Sequence, residues 1–109
     1  MKKSLFVFAV LFGVASVISG CKKTDTPGAN EVWMQNTAFV PNSITVAVNS
    51  TVTWTNKDNM THNVTSDSGW FASGNITPGA TYSRQFTTAG TYSYRCTIHS
   101  GMNGTVVVH

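Results

Sequence analysis

The sequence predicts an all-β protein that folds as an antiparallel β-sandwich. Apolar and polar residues alternate with a period of two in several short runs, such as residues 51–55, where Val52 and Trp54 alternate with threonines; this is the pattern of strands with one buried face. Turn-forming pairs such as Pro78-Gly79 separate the runs. No run after residue 20 repeats its apolar residues every 3.6 positions. Short strands separated by turns therefore predict a sandwich.

Residues 1–20 predict a signal peptide. Lys2 and Lys3 give a positive start, and an uncharged apolar run of 14 residues follows at positions 5–18, which is too short to cross a bilayer of about 30 Å as a helix. Small residues then precede Cys21, an order that resembles the lipobox of bacterial lipoproteins. The resemblance implies that Cys21 is lipidated and becomes the new N-terminus. Ordinary signal cleavage with an unmodified Cys21 is the alternative.

Residues 21–30 predict a flexible tether, because they are polar, contain Pro27 and Gly28, and show no apolar periodicity. Lys2 and Lys3 of the signal peptide, together with lysines 22 and 23 of the tether, account for the chain's basic excess. The whole chain has a formal net charge of +3. From Glu31 onward, however, three basic and three acidic residues leave the predicted domain neutral. A nucleic-acid partner is therefore not expected.

Residues 31–109 form the predicted domain. Tyr92, Tyr94 and Cys96 fall on one face of a strand that ends just before a short loop. Arg84 stands at the same alternating positions as its aromatic neighbours, so its side chain shares their face of the strand. This predicts an edge strand, where the guanidinium group can reach water. The predicted core consists of aromatic and branched residues along the alternating runs: Trp33, Phe39, Ile44, Val46, Val52, Trp54, Tyr82, Phe86, Tyr92 and Val107.

The loop after this strand carries candidate metal ligands. Cys96, His99 and Met102 are spaced three residues apart, so one short loop can fold a thiolate, an imidazole and a thioether around one point. His62 offers a second imidazole from another loop. Taken singly, each residue is ordinarily a core or solvated side chain. Together, two histidines, one cysteine and a weak axial methionine are the ligand set of a blue-copper electron-transfer site.

Longer stretches around these residues resemble the plastocyanin/amicyanin branch of the cupredoxins, and the short ligand loop is of the amicyanin type. The resemblance covers almost all of residues 31–109 and implies a Greek-key β-sandwich with one type 1 copper ion. It further implies that His62 and His99 bind through ring nitrogens, Cys96 through sulfur and Met102 as a weak axial contact. The matched stretches are Phe39-x-Pro41-x-x-Ile44-x-Val46, Val52-Thr53-Trp54-x-Asn56-x-Asp58-x-x-x-His62-x-Val64, Phe71-x-Ser73-Gly74, Pro78-Gly79-x-x-Tyr82 and Gly90-Thr91-Tyr92-x-Tyr94-x-Cys96-x-x-His99-x-x-Met102.

The resemblance also assigns roles to two neighbours of the ligands. Asn63 matches a position whose backbone N–H donates to the cysteine sulfur and whose side chain ties the ligand loops together. Ile98 occupies a position that is often proline in the family, and unlike proline it retains an N–H. We hypothesise that the Ile98 N–H donates a second hydrogen bond to the Cys96 sulfur and raises the redox potential.

Three functions are consistent with these residues. The first is a membrane-tethered one-electron carrier in the cell envelope, on its periplasmic or surface side, with redox partners such as c-type cytochromes or copper/haem oxidoreductases. The second is a copper-binding or copper-delivery lipoprotein, and the third is a metal-free sandwich module, which the ligand set disfavours. An enzyme is not expected, because four protein ligands leave no open coordination position for a substrate.

Overall fold

The computed structural model describes residues 26–109, and every regular element within this range is a β-strand. The predicted all-β fold is thus confirmed. The predicted signal peptide and Cys21 lie outside the described residues. In chain order the strands are β1 Glu31–Met34, β2 Phe39–Val40, β3 Ser43–Val46, β4 Thr51–Asn56, β5 Thr65–Ser66, β6 Thr81–Gln85, β7 Gly90–Arg95 and β8 Asn103–Val108.

The strands form two four-stranded sheets that pack as a sandwich. One sheet has the order β2-β1-β4-β6 and the other β3-β8-β7-β5. The sheets are mixed, because β1 runs parallel to β4 and β3 runs parallel to β8, while the other pairs are antiparallel. Alternation of apolar residues predicts which strands have a buried face but carries no information on strand direction, so the parallel pairs were not foreseen.

Aromatic side chains fill the space between the sheets. Trp54 lies at their centre, with its ring centroid 5.4 Å from that of Tyr94 and 5.6 Å from that of Tyr82. Most predicted core residues are buried as expected, and Ile44 and Tyr82 are partly buried against the same cluster. Trp33 is buried outside this cluster, with Lys57 Nζ 4.6 Å from its ring centroid.

The prediction of Val107 as a core residue is wrong. Its neighbours Val106 and Val108 are buried in the core, whereas Val107 lies on the other face of β8 and is only partly buried. Three consecutive valines do not alternate with polar residues, so the sequence does not reveal which of them faces inward. The inward-facing pair is set by the pairing of β8 with β7 and β3.

Arg84 lies on β6, which is an edge strand as predicted. Its guanidinium carbon lies 5.1 Å from the ring centroid of Phe71 and 5.9 Å from that of Phe86. The side chain therefore covers aromatic rings at the side of the sandwich while it remains partly exposed. No helix among residues 26–109 is long and apolar enough to span a membrane.

Strand direction brings the candidate ligands to one end of the sandwich. β4 and β7 both run toward this end, where the chain continues into the loops that contain His62 and Cys96. β1 runs parallel to β4 and begins at Glu31, so the chain enters the domain toward the opposite end.

Candidate metal centre

Three donor atoms from distant parts of the sequence meet at the end of the sandwich. The Nδ1 atoms of His62 and His99 lie 3.2 Å apart, and Cys96 Sγ lies 3.9 Å from the first and 3.7 Å from the second. Bonds from imidazole nitrogen and thiolate sulfur to a metal such as zinc measure about 2.0–2.3 Å, so donors that share one ion lie roughly 3–4 Å apart. The three residues therefore fit a single metal ion without rearrangement of the chain.

The backbone of His62 is fixed by two hydrogen bonds to Ile76. Its N–H donates to the carbonyl of Ile76 at 3.1 Å, and its carbonyl accepts the N–H of Ile76 at 2.8 Å. The side chain is completely buried. A loop residue with an isolated β-bridge of this kind has little freedom to move, so the imidazole has a defined position before any metal binds.

Cys96 and Met102 close the second loop. The Cys96 N–H, immediately after β7, donates to the Met102 carbonyl at 3.0 Å, and both side chains are buried. Gly101 has a φ of +82°, a left-handed conformation that glycine adopts without a steric penalty. The loop thereby returns tightly enough to place Met102 beside Cys96, while His99 between them remains partly exposed.

Asn63 joins the two loops through its side chain. Its Nδ2 donates to Thr97 Oγ1 at 2.8 Å, and its Oδ1 accepts the Thr97 N–H at 3.0 Å. Thr65 Oγ1 also donates to Asn63 Oδ1 at 3.0 Å. Among the hydrogen bonds of residues 26–109, none runs from the backbone N–H of Asn63 or Ile98 to Cys96 Sγ. The two amide-to-sulfur bonds therefore stay predictions.

Asp58 contacts the outer nitrogen of His62, a role that the sequence did not indicate although Asp58 lies in a matched stretch. Its Oδ2 lies 2.7 Å from His62 Nε2. Burial by itself raises the pKa of the carboxyl group, but hydrogen bonds from the Thr37 N–H, from His62 and from the Asn36 N–H outweigh it and hold the pKa below its usual value. Asp58 is thus a carboxylate that accepts hydrogen bonds and orients the ring.

Asn56, at the end of β4, supports the same loop and was also missed as a functional residue. Its Nδ2 donates to the carbonyls of Met60 and Ile76, both at 2.9 Å, and its Oδ1 accepts the Asp58 N–H at 2.9 Å. The residue is buried. Its place in a matched stretch is the signal that the sequence offers, but the role of a buried amide that bonds to loop backbone is seen only in the fold.

Known copper proteins are similar to this chain in sequence. A family model of copper binding proteins, the plastocyanin/azurin family, matches residues 27–109. A plastocyanin from Scenedesmus fuscus is 39% identical over 83 residues, which cover 64% of this chain and 85% of that protein. Amicyanin-alpha from Methylorubrum extorquens is 36% identical over 86 residues, with 74% and 72% covered.

Solved structures agree with these sequence matches. A mutant of amicyanin in the Cu(I) form has a TM-score of 0.70 and 31% identity, over 81% of this chain and 86% of that chain. A purple cupredoxin from Nitrosopumilus maritimus has a TM-score of 0.66 and 27% identity, over 72% of this chain and 98% of that chain.

A β-sandwich with two imidazoles and a thiolate at one end defines a copper protein of the cupredoxin class. The chain belongs to the plastocyanin/azurin family of copper binding proteins, and copper is its cofactor. Proteins of this class transfer electrons and are not enzymes, in agreement with the expectation from the sequence.

Proposed function

We propose that this protein is a membrane-tethered one-electron carrier whose copper ion is bound by His62, Cys96, His99 and Met102. The observation that carries the proposal is the convergence of two Nδ1 atoms and one Sγ within 3.9 Å of one another. Bound copper supplies the Cu(II)/Cu(I) couple, and thiolate with imidazole suits both oxidation states.

The chain around the donors favours fast electron transfer, because little of it can move. His62 is paired with Ile76 on both sides of its backbone, the Cys96 N–H is bonded to Met102, and the Asn63 side chain links the two loops. Donors that keep their positions in both oxidation states lower the reorganisation that accompanies electron transfer. Such a site also resists release of the metal. Electron transfer is therefore favoured over copper delivery as the function.

Electrons would enter and leave through His99, which is the partly exposed imidazole of the three donors. Two exposed apolar side chains stand on the same loops, Met60 at 41% and Ile98 at 48% exposure. We define these as the Met60/Ile98 patch and propose that redox partners dock on it. Since the domain from Glu31 onward is formally neutral, docking is expected to depend little on salt.

The tether is proposed to begin at lipidated Cys21 and to end where the chain docks on the sandwich. Gly28 N–H donates to Glu31 Oε1 at 2.8 Å, and Glu31 N–H donates back to the Gly28 carbonyl at 3.1 Å. Seven residue steps therefore separate the lipid from the docked chain, a reach of about 25 Å. Because this attachment lies toward the end opposite the metal centre, the tether leaves the Met60/Ile98 patch free to face away from the membrane surface.

Partners that fit this arrangement are redox proteins of the cell envelope, such as c-type cytochromes or copper/haem oxidoreductases, on the periplasmic or surface side. A copper-binding or copper-delivery lipoprotein is the second candidate function. The exposed Met60 thioether near a copper centre is the observation that favours it.

The test of the carrier is copper retention through a redox cycle. Cu(II) added to the purified protein is expected to produce an intense visible thiolate-to-copper charge-transfer band that ascorbate bleaches and ferricyanide restores. Cys96→Ser should abolish the band, whereas Ser100→Ala in the same loop should keep it. Copper binding without the band, or loss of copper on reduction, would favour delivery, and a wild-type protein that binds no copper would contradict both functions.

The lipid anchor has its own test. Cys21→Ser is expected to move the protein from the membrane to the soluble fraction with its copper band unchanged. If this variant fractionates with membranes as the wild type does, the anchor is wrong and the copper proposal is unaffected.

The Ile98 hypothesis is tested by proline. Ile98→Pro removes the N–H and is expected to lower the redox potential, whereas Ile98→Ala keeps the N–H and serves as the control. A potential in Ile98→Pro that is unchanged or higher than in Ile98→Ala would contradict a hydrogen bond to Cys96 Sγ.

A further inference from the structure

The turn between β1 and β2 has an unusual backbone. Asn36 and Thr37 have φ values of 56° and 58°, and Gln35 and Ala38 exchange backbone hydrogen bonds of 2.9 and 3.1 Å across them. A two-residue hairpin turn with positive φ at both positions ordinarily has asparagine followed by glycine. Threonine is rare in this conformation because its branched side chain crowds the backbone. The turn therefore needs support from outside itself.

That support comes from a carboxylate 21 residues further along the chain. The Asn36 N–H donates to Asp58 Oδ1 at 2.7 Å, and the Thr37 N–H donates to Asp58 Oδ2 at 3.0 Å. Successive N–H groups that point to one side form a concave site for an anion. The same Oδ2 lies 2.7 Å from His62 Nε2, so one carboxylate connects the turn to the candidate metal ligand.

The geometry assigns a positioning role to this connection. We propose that the Asn36-Thr37 turn, through Asp58, fixes the ring of His62 and holds its proton on Nε2, so that Nδ1 keeps its lone pair for the metal. The inference rests on the proposed function in one respect only, namely that His62 is a copper ligand. The turn lies in a part of the sequence in which no metal ligand has been predicted.

Burial makes this connection effective. The Asp58 side chain is 11% exposed and the His62 side chain 0% exposed, so water does not compete strongly for these hydrogen bonds. Both carboxylate oxygens have partners, two amides and one imidazole. A neutral amide in place of the carboxylate has one acceptor oxygen and cannot accept all three hydrogen bonds.

The charge of Asp58 has a second consequence. A carboxylate that accepts the outer N–H of a metal-bound imidazole raises the basicity of that ligand. This favours the more highly charged metal ion. Replacing Asp58 by a neutral residue is therefore expected to raise the redox potential as well as to loosen the ring.

The decisive variants are Asp58→Asn and Thr37→Gly. Asp58→Asn removes the charge and one acceptor with little change in size. Thr37→Gly is the matched control, because it keeps the amide that donates to Asp58 and relieves the crowded conformation. The readouts are the NMR signal of the His62 Nε2 proton in the metal-free protein, the affinity for Cu(I), and the redox potential.

In the metal-free wild type we expect a slowly exchanging proton on His62 Nε2. Asp58→Asn should speed its exchange, weaken Cu(I) binding by 10–100-fold and raise the potential. Thr37→Gly should leave all three unchanged.

A His62 Nε2 proton in the wild type that exchanges as fast as that of a free imidazole would overturn the proposal. So would Cu(I) affinity and potential in Asp58→Asn that match the wild type. The NMR readout needs no copper, so a failure of the copper function and a failure of this inference are distinguishable. It also keeps the proposal testable if Asp58→Asn does not fold.

Discussion

The metal end of the sandwich and the aromatic core beneath it hold their buried polar groups in different ways. At the metal end, Asn56, His62 and Asn63 are buried and every one of them has hydrogen-bond partners. In the core, Tyr94 OH and Trp54 Nε1 are buried without a partner among the described residues. Side-chain hydrogen bonds thus position the ligand loops, whereas close packing orders the centre of the core around Trp54 and Tyr94. Substitutions in the two regions should therefore have different signatures, and four experiments examine this.

The largest effect is expected from overpacking the core. A Cβ atom at position 104 would collide with the ring and hydroxyl of Tyr94, which crosses directly over Gly104 on the neighbouring strand. Gly104→Ala is therefore expected to lower the free energy of unfolding by about 3 kcal/mol, measured by urea denaturation. The same change in a Tyr94→Leu background should cost much less. Equal costs in both backgrounds would mean that the collision is not the cause.

Next in size is the loss of a hydrogen-bonding side chain at the metal end. Asn56→Ala leaves the Met60 carbonyl without its Asn56 donor and the Asp58 N–H without its acceptor, and it removes one of the two donors to the Ile76 carbonyl. We expect the free energy of unfolding to fall by about 2 kcal/mol and copper to be released faster. Urea denaturation measures the first effect, and the decay of the visible band measures the second. Thr53→Ala, on the same strand but away from the loops, is the control and should leave copper release unchanged.

A smaller effect of opposite sign is expected from the core hydroxyl. Burial raises the pKa of Tyr94 to about 12, against the opposing effect of the nearby Trp54 indole N–H, so the group is neutral, and its O–H donates to no acceptor among residues 26–109. Tyr94→Phe removes an unsatisfied polar group and is expected to stabilise the protein by about 1 kcal/mol. Tyr92→Phe is the matched comparison. It removes a hydroxyl that donates to the Thr88 carbonyl at 2.6 Å and should destabilise. If Tyr94→Phe destabilises as much as Tyr92→Phe, the contrast between the regions fails.

The smallest effect concerns the end where the tether enters. The Gly28 N–H holds the pKa of Glu31 below its usual value against the opposing effect of burial, with further help from the Thr55 hydroxyl. A lowered pKa in the folded state means that Glu31 stabilises the fold above pH 4.5 and loses this contribution as the pH falls through the lowered value. Glu31→Gln should therefore be less stable than the wild type at pH 7, by less than about 1 kcal/mol for a partly exposed group, and equally stable in strong acid. Thermal unfolding at pH 7 and pH 2.5 measures this difference, and a gap that persists in acid would contradict it.

The strands and the donor set were accessible from the sequence because both leave local traces. Val52 and Trp54 alternate with threonines and prove to be buried on β4. Cys96, His99 and Met102 follow one another at a fixed spacing in one loop. Val107 shows the limit of this reasoning, since a run of three valines has no local signal for the residue that faces inward.

The sequence by itself determined the class of fold and the chemical character of the metal centre, because apolar alternation, turn residues and ligand types are properties of short segments. Only the tertiary structure decided the parallel pairing of β1 with β4, which directs the chain's entry and the metal centre toward opposite ends. Only the tertiary structure, likewise, joined Asn36 and Thr37 to Asp58 and Asp58 to His62. Hydrogen bonds between distant segments depend on strand direction and register, and neither leaves a mark in the order of neighbouring residues.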